Sequence, residues 1–65
     1  MVFCQLTGKD GNAFSVMGRV VESLIRADVD EKGIREYMAK AMSGDYDNLL
    51  AVSMQTLESY GIEYE

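Results

Sequence analysis

The chain has 65 residues, 48% of them apolar, with 6 Lys and Arg against 11 Asp and Glu, no His, Pro or Trp, and a single Cys. A single domain over residues 1–65 is expected, and its core supplies only about 3–5 kcal/mol. Two common reinforcements are excluded, because Cys4 has no disulfide partner and no set of thiolates or imidazoles exists to hold zinc.

Oligomerisation is the reinforcement that remains, so a homodimer is expected. The net charge of −5 opposes nucleic-acid binding, which is driven by clustered Lys and Arg. The carboxylates also read as scattered along the chain, against a DNA mimic. No apolar run approaches the roughly 20 residues of a membrane-spanning helix. Residues 1–8 lack the basic start and apolar stretch of an export signal, so a cytoplasmic protein with a reduced Cys4 is expected.

Residues 2–7 alternate and place Val2, Cys4 and Leu6 on one face of a strand. Gly8-Lys9-Asp10-Gly11 makes a turn, and Asn12 is placed to cap a helix. From Ala13 to about Ala27, Phe14, Met17, Val21 and Leu24 form an apolar row widened by Ala13, Val20 and Ile25. Gly18 inside this helix costs about 1 kcal/mol relative to Ala. Close packing against a neighbouring element is its expected reason.

Asp28-Val29-Asp30 ends the first helix and offers Asp30 as the next cap. Ile34, Tyr37, Met38, Ala41 and Met42 then repeat at helical steps, and Ser43-Gly44 reads as a glycine C-cap. Asp45 caps a third helix with Tyr46, Leu49, Leu50, Met54 and Leu57 as its buried row, ending near Tyr60-Gly61. Residues 62–65 alternate apolar with charged and predict a short edge strand. The expected fold is therefore α+β, a β-α-α-α-β domain with three amphipathic helices on a two-stranded sheet. A simple reversal at each of the four connections makes the strands parallel, and their edges are expected to be extended or buried by dimerisation. Pairing through a helix face is the competing geometry.

For catalysis the inventory is thin. There is no His, no P-loop and no nucleophile elbow, and Cys4 falls in an apolar strand where burial is its expected use; no enzyme is expected. The pairs Asp28/Asp30 and Asp45/Asp47 are spaced to hold a hard cation, but both stand where helix caps are needed, so no metal or other cofactor is expected. The turn from Leu6 to Phe14 opens a helix and can bind an anion through free backbone N–H groups, with Lys9, Asn12 and Arg19 as contacts. A turn followed by an N-cap is the plainer reading of the same residues. Tyr60 and Tyr64 suit either base stacking or a subunit boundary. The expected interface set is Val2, Cys4, Leu6, Tyr60, Ile62 and Tyr64.

Asp10-Gly11-Asn12-Ala13-Phe14, followed by Ser43-Gly44-Asp45-Tyr46-Asp47 with Leu49-Leu50, resembles a family of short, mostly uncharacterised proteins of bacteriophages, prophages and bacterial mobile elements. The likeness covers nearly the whole chain but carries no catalytic or binding residues with it. It implies a small phage accessory protein working in the host cytoplasm against a host enzyme or antiviral defence. The expected function is therefore interference by protein–protein contact as a homodimer. The alternative is an oligomeric sponge whose intersubunit pockets sequester an anionic, nucleotide-type immune signal.

Overall fold

The computed structural model describes residues 2–8 and 10–65. Strand β1 (Phe3–Cys4) is followed by α1 (Ala13–Arg26), α2 (Glu31–Ala41), α3 (Tyr46–Ser59) and β2 (Glu63–Tyr64). The strands are parallel, with Phe3 opposite Glu63 and Cys4 opposite Tyr64. The ladder is lengthened by the Leu6 and Thr7 amides donating to the Glu65 carbonyl and by the Glu65 amide donating to the Cys4 carbonyl. Three helices therefore pack on a small parallel sheet, as the chain order requires.

Local chemistry sets the helix starts. Asn12, Asp30 and Asp45 each adopt extended backbone and accept from an amide of the first turn, at Phe14, Gly33 and Asn48 respectively. The ends of α1 and α3 share another device. Beyond α3, Gly61 has φ +71°; its amide donates to the Glu58 carbonyl and that of Ile62 to the Leu57 carbonyl, the Schellman pattern. At the end of α1 the same two bonds run from Asp28 to Ile25 and from Val29 to Leu24, but the left-handed position is held by Asp28 at φ +62°. Gly44 does not act as the expected C-cap, because its φ is not positive; Met42 closes α2, and Gly44 instead lies against the Asn48 side chain.

The core joins Cys4, Leu6 and Ile62 from the strand segments to Val16, Val20, Leu24, Tyr37, Ala41, Leu49 and Leu57. In its centre the Tyr37 hydroxyl and Ser53 hydroxyl share a hydrogen bond of 2.7 Å, both side chains being out of solvent. Burial raises the Tyr37 pKa, with the Ser53 bond opposing. Gly33 is buried because α2 meets the end of α3 closely: a Cβ there would stand 2.7 Å from the Tyr60 hydroxyl and 2.8 Å from Val29 Cγ1.

The helical faces are rotated from expectation. In α1 the buried residues are Val16, Met17, Val20, Ser23 and Leu24, whereas Phe14 is 76% exposed and Ile25 58%. Met38, Met42, Tyr46 and Met54 are likewise exposed, and Ser53 takes the place expected for Met54. Gly18 is exposed, and a Cβ added to it meets nothing within 4 Å. Among the described residues no neighbour packs on Gly18, against expectation.

Two outcomes follow from this packing. Asp28→Gly removes a side chain from a left-handed position and is expected to raise stability by about 0.5–1 kcal/mol, read from the urea midpoint. Tyr37→Phe strands the Ser53 hydroxyl and is expected to cost about 1–3 kcal/mol, with Tyr37→Phe/Ser53→Ala recovering much of the loss. The raised Tyr37 pKa also gives a sign: the native state keeps its proton where the unfolded chain has lost it. Stability should hold below the unfolded value of 10.0 and fall as pH rises through the folded one, and Tyr37→Phe should reduce that fall.

Candidate functional site

The turn proposed for an anion is already filled by the chain itself. Arg19 Nε donates to the Gln5 carbonyl at 2.7 Å, and its Nη2 donates to the Leu6 and Asp10 carbonyls at 3.2 and 3.0 Å. The guanidinium therefore clamps the chain leaving β1 onto α1, in place of the expected ligand contact. Asn12 Oδ1 accepts from the Phe14 amide, and the Asp10 carboxylate accepts from the Asn12 amide and the Ser15 hydroxyl. Those two bonds hold the Asp10 carboxyl below its ordinary value, so it is an anion at neutral pH. An incoming phosphate would have to displace a carboxylate covalently tethered at the helix N-terminus. Lys9, the third expected contact, lies outside the described residues.

The expected interface set also divides. Cys4, Leu6 and Ile62 are 1%, 2% and 4% exposed and belong to the core of the single chain, so their side chains are not available to a partner. Cys4 is a free thiol whose Sγ faces the Arg19 carbonyl at 3.8 Å. Val2 and Tyr64 are half-buried and Tyr60 is exposed; the Tyr64 hydroxyl donates to the Glu58 carboxylate, which raises its pKa. The outward side of the sheet carries Phe3 opposite Glu63, and each strand is two residues long, which leaves little edge for a second sheet.

Apolar surface lies on the helices instead. At 3.6 residues per turn, Phe14, Gly18, Val21 and Ile25 fall within an arc of about 60° on α1, beside the buried face rather than on it. Near Phe14 opens a mainly apolar groove of about 260 Å³ between Ala13, Met17, Ala41, Met42 and Leu49. The groove brings the start of α1 beside the end of α2, so the two helices run antiparallel. It also joins the two sequence motifs, since Phe14 closes one and Gly44 and Asp45 belong to the other. A second, polar hollow of about 170 Å³ lies between α2 and α3, lined by Glu36, Lys40, Thr56 and Tyr60 among others.

Charge is divided more sharply than a scattered reading suggests. Lys9, Arg19, Arg26, Lys32, Arg35 and Lys40 balance Asp10, Glu22, Asp28, Asp30, Glu31 and Glu36, so residues 1–40 are neutral. Residues 41–65 hold no Lys or Arg and carry the entire net charge of −5 through Asp45, Asp47, Glu58, Glu63 and Glu65. Tyr46, Tyr60 and Tyr64 belong to this half. Among the described residues no group of three or more His, Cys, Asp or Glu is placed to hold a metal ion, and no helix is long and apolar enough to cross a membrane. Comparison with protein-family models, curated proteins and solved structures gives no match.

If Arg19 is a clamp, Arg19→Ala should lower stability by about 2 kcal/mol in denaturant unfolding, since hydrogen bonds from a charged donor are worth roughly 1.5–3 kcal/mol. Arg19→Lys should recover little, because one ammonium cannot reproduce the planar fork on three carbonyls.

Proposed function

We propose that this protein is a small phage-type binding module that works as a homodimer in the host cytoplasm and interferes with a host enzyme or defence protein by direct contact. The supporting observation is the concentration of all net charge in α3, β2 and the turns beside them, with the exposed Tyr60 lying between Glu58 and Glu63 in the sequence. An excess of one sign on a small molecule steers it towards an oppositely charged surface, and tyrosine supplies apolar contact with a polar tip. The partner is a host protein with a basic docking surface. The genetic context comes from the resemblance carried by the two motifs. Sequestration of a nucleotide-type signal has less support, because Arg19, Asn12 and Asp10 are engaged with one another and with backbone.

The test is capture of a stoichiometric partner from host cells, followed by binding between the two purified proteins. Affinity is expected to fall with added salt and by at least about tenfold in Glu63→Lys/Glu65→Lys, whose side chains are exposed. Binding that ignores both changes would overturn the acidic docking surface. Recovery of a heat-released nucleotide with no protein partner would overturn the reading as a whole.

A further inference from the structure

Gly18 stands in the middle of a helix that it weakens, and among the described residues nothing lies within 4 Å of the place where a Cβ would be. It lies on the stripe Phe14, Gly18, Val21, Ile25, whose four-, three- and four-residue steps are those of a helix seam that meets another helix. Phe14 and Ile25, the two ends of that seam, are the two most exposed apolar side chains on α1. We infer that the occupant of this seam is a second copy of the same chain, with two α1 helices crossing antiparallel about a two-fold axis between Gly18 and Val21.

Three observations favour a second copy. The spacing is self-complementary, since reversing the stripe about its midpoint sets Phe14 opposite the partner's Ile25 and Gly18 opposite the partner's Val21. An isologous interface requires that match of each position with its two-fold mate, and the absent Gly18 side chain leaves room for the facing Val21 and a close approach of the helices. Charge permits the contact as well. Arg19, Glu22 and Arg26 give α1 itself no acidic excess, and Asp45, beside Phe14 in the groove, is the carboxylate of residues 41–65 that stands at the margin of the seam.

Size then sets the extent of the interface. A stable dimer buries about 800 Å² per partner, roughly a fifth of the 4218 Å² surface of this chain. One helix of 14 residues is about 21 Å long and cannot supply that area by itself. The exposed Met42 shares the groove beside Phe14, and Met38 precedes it by one turn of α2, so the contact spreads from the α1 seam onto α2. Methionine suits such a margin because its flexible side chain adapts to an irregular surface.

The inference rests on the homodimer proposed above: a wild-type monomer would remove both, dimers that persist in both variants would remove the seam alone, and host-partner binding is read in a separate experiment. Sedimentation equilibrium of the wild-type chain at about 50 µM should give twice the 7.2 kDa monomer mass. Ile25→Glu puts a charge on an exposed position and should give a monomer with unchanged helical circular dichroism. Gly18→Gln should raise helix content, because no described residue stands within 4 Å of the added Cβ, while weakening dimerisation at least tenfold. A wild-type monomer at this concentration, or dimers that persist in both variants, would overturn the inference.

Discussion

The guanidinium of Arg19 ties the strand end of the molecule to its helices. Its Nε and Nη2 hold the carbonyls of Gln5, Leu6 and Asp10, while its own carbonyl accepts from the Ser23 hydroxyl and faces the Cys4 thiol. One residue thus fixes where β1 lies against α1 and how the following turn is folded. The turn in turn delivers Asp10 to the start of the helix, where the carboxylate meets Asn12 and Ser15. A positive side chain beside a helix N-terminus resembles an anion receptor in sequence. In the folded chain it serves backbone carbonyls, and the helix end receives an anion from the same polypeptide.

Around that tie the interior is small but chemically complete. Among the described residues no buried side-chain nitrogen or oxygen lacks a partner, and the Tyr37–Ser53 bond satisfies two polar groups at the point where α2 and α3 meet. The chain attains this by turning one flank of each helix inward and leaving considerable apolar surface outside, at Phe14, Ile25, Met42 and elsewhere. A core of this size cannot absorb every large apolar side chain the sequence contains. Surface left over from folding is then available for association, which joins the stability problem of a short chain to its assembly.

Features governed by neighbouring residues were legible in the sequence. Asn12, Asp30 and Asp45 cap the helices they were expected to cap, because an N-cap bond depends only on three or four adjacent positions. The strand, three helices and strand, and the parallel pairing, follow from the same punctuation. The direction of each buried face was less legible. Apolar residues extend over more than half of α1, so Phe14, Met17, Val21 and Leu24 compete with Val16, Val20 and Leu24 as the inward row, and only packing against α3 and the sheet decides between them. Val16 and Ser53 were missed for this reason. Of the candidate site residues, Asn12 and Arg19 both bond to Asp10, in structural roles that depend on where β1 runs. The groove that unites the two motifs depends on the antiparallel placement of α1 and α2, a tertiary fact. The neutral and acidic halves were readable by simple counting, although mean composition conceals them.

The β1–β2 ladder joins residues 60 positions apart, whereas the helices form from contacts a few residues away. Closing a loop of that length costs about 4 kcal/mol of chain entropy before the constant term. Two short strands return few hydrogen bonds against that cost, so the sheet is expected to form after the helices and to open before them. The amides of Leu6 and Glu65, which extend the ladder, are therefore placed to exchange with solvent through a partial opening that leaves the three helices together. In kinetic terms the sheet is expected to be the latch of the fold, the last element to close and the first to release.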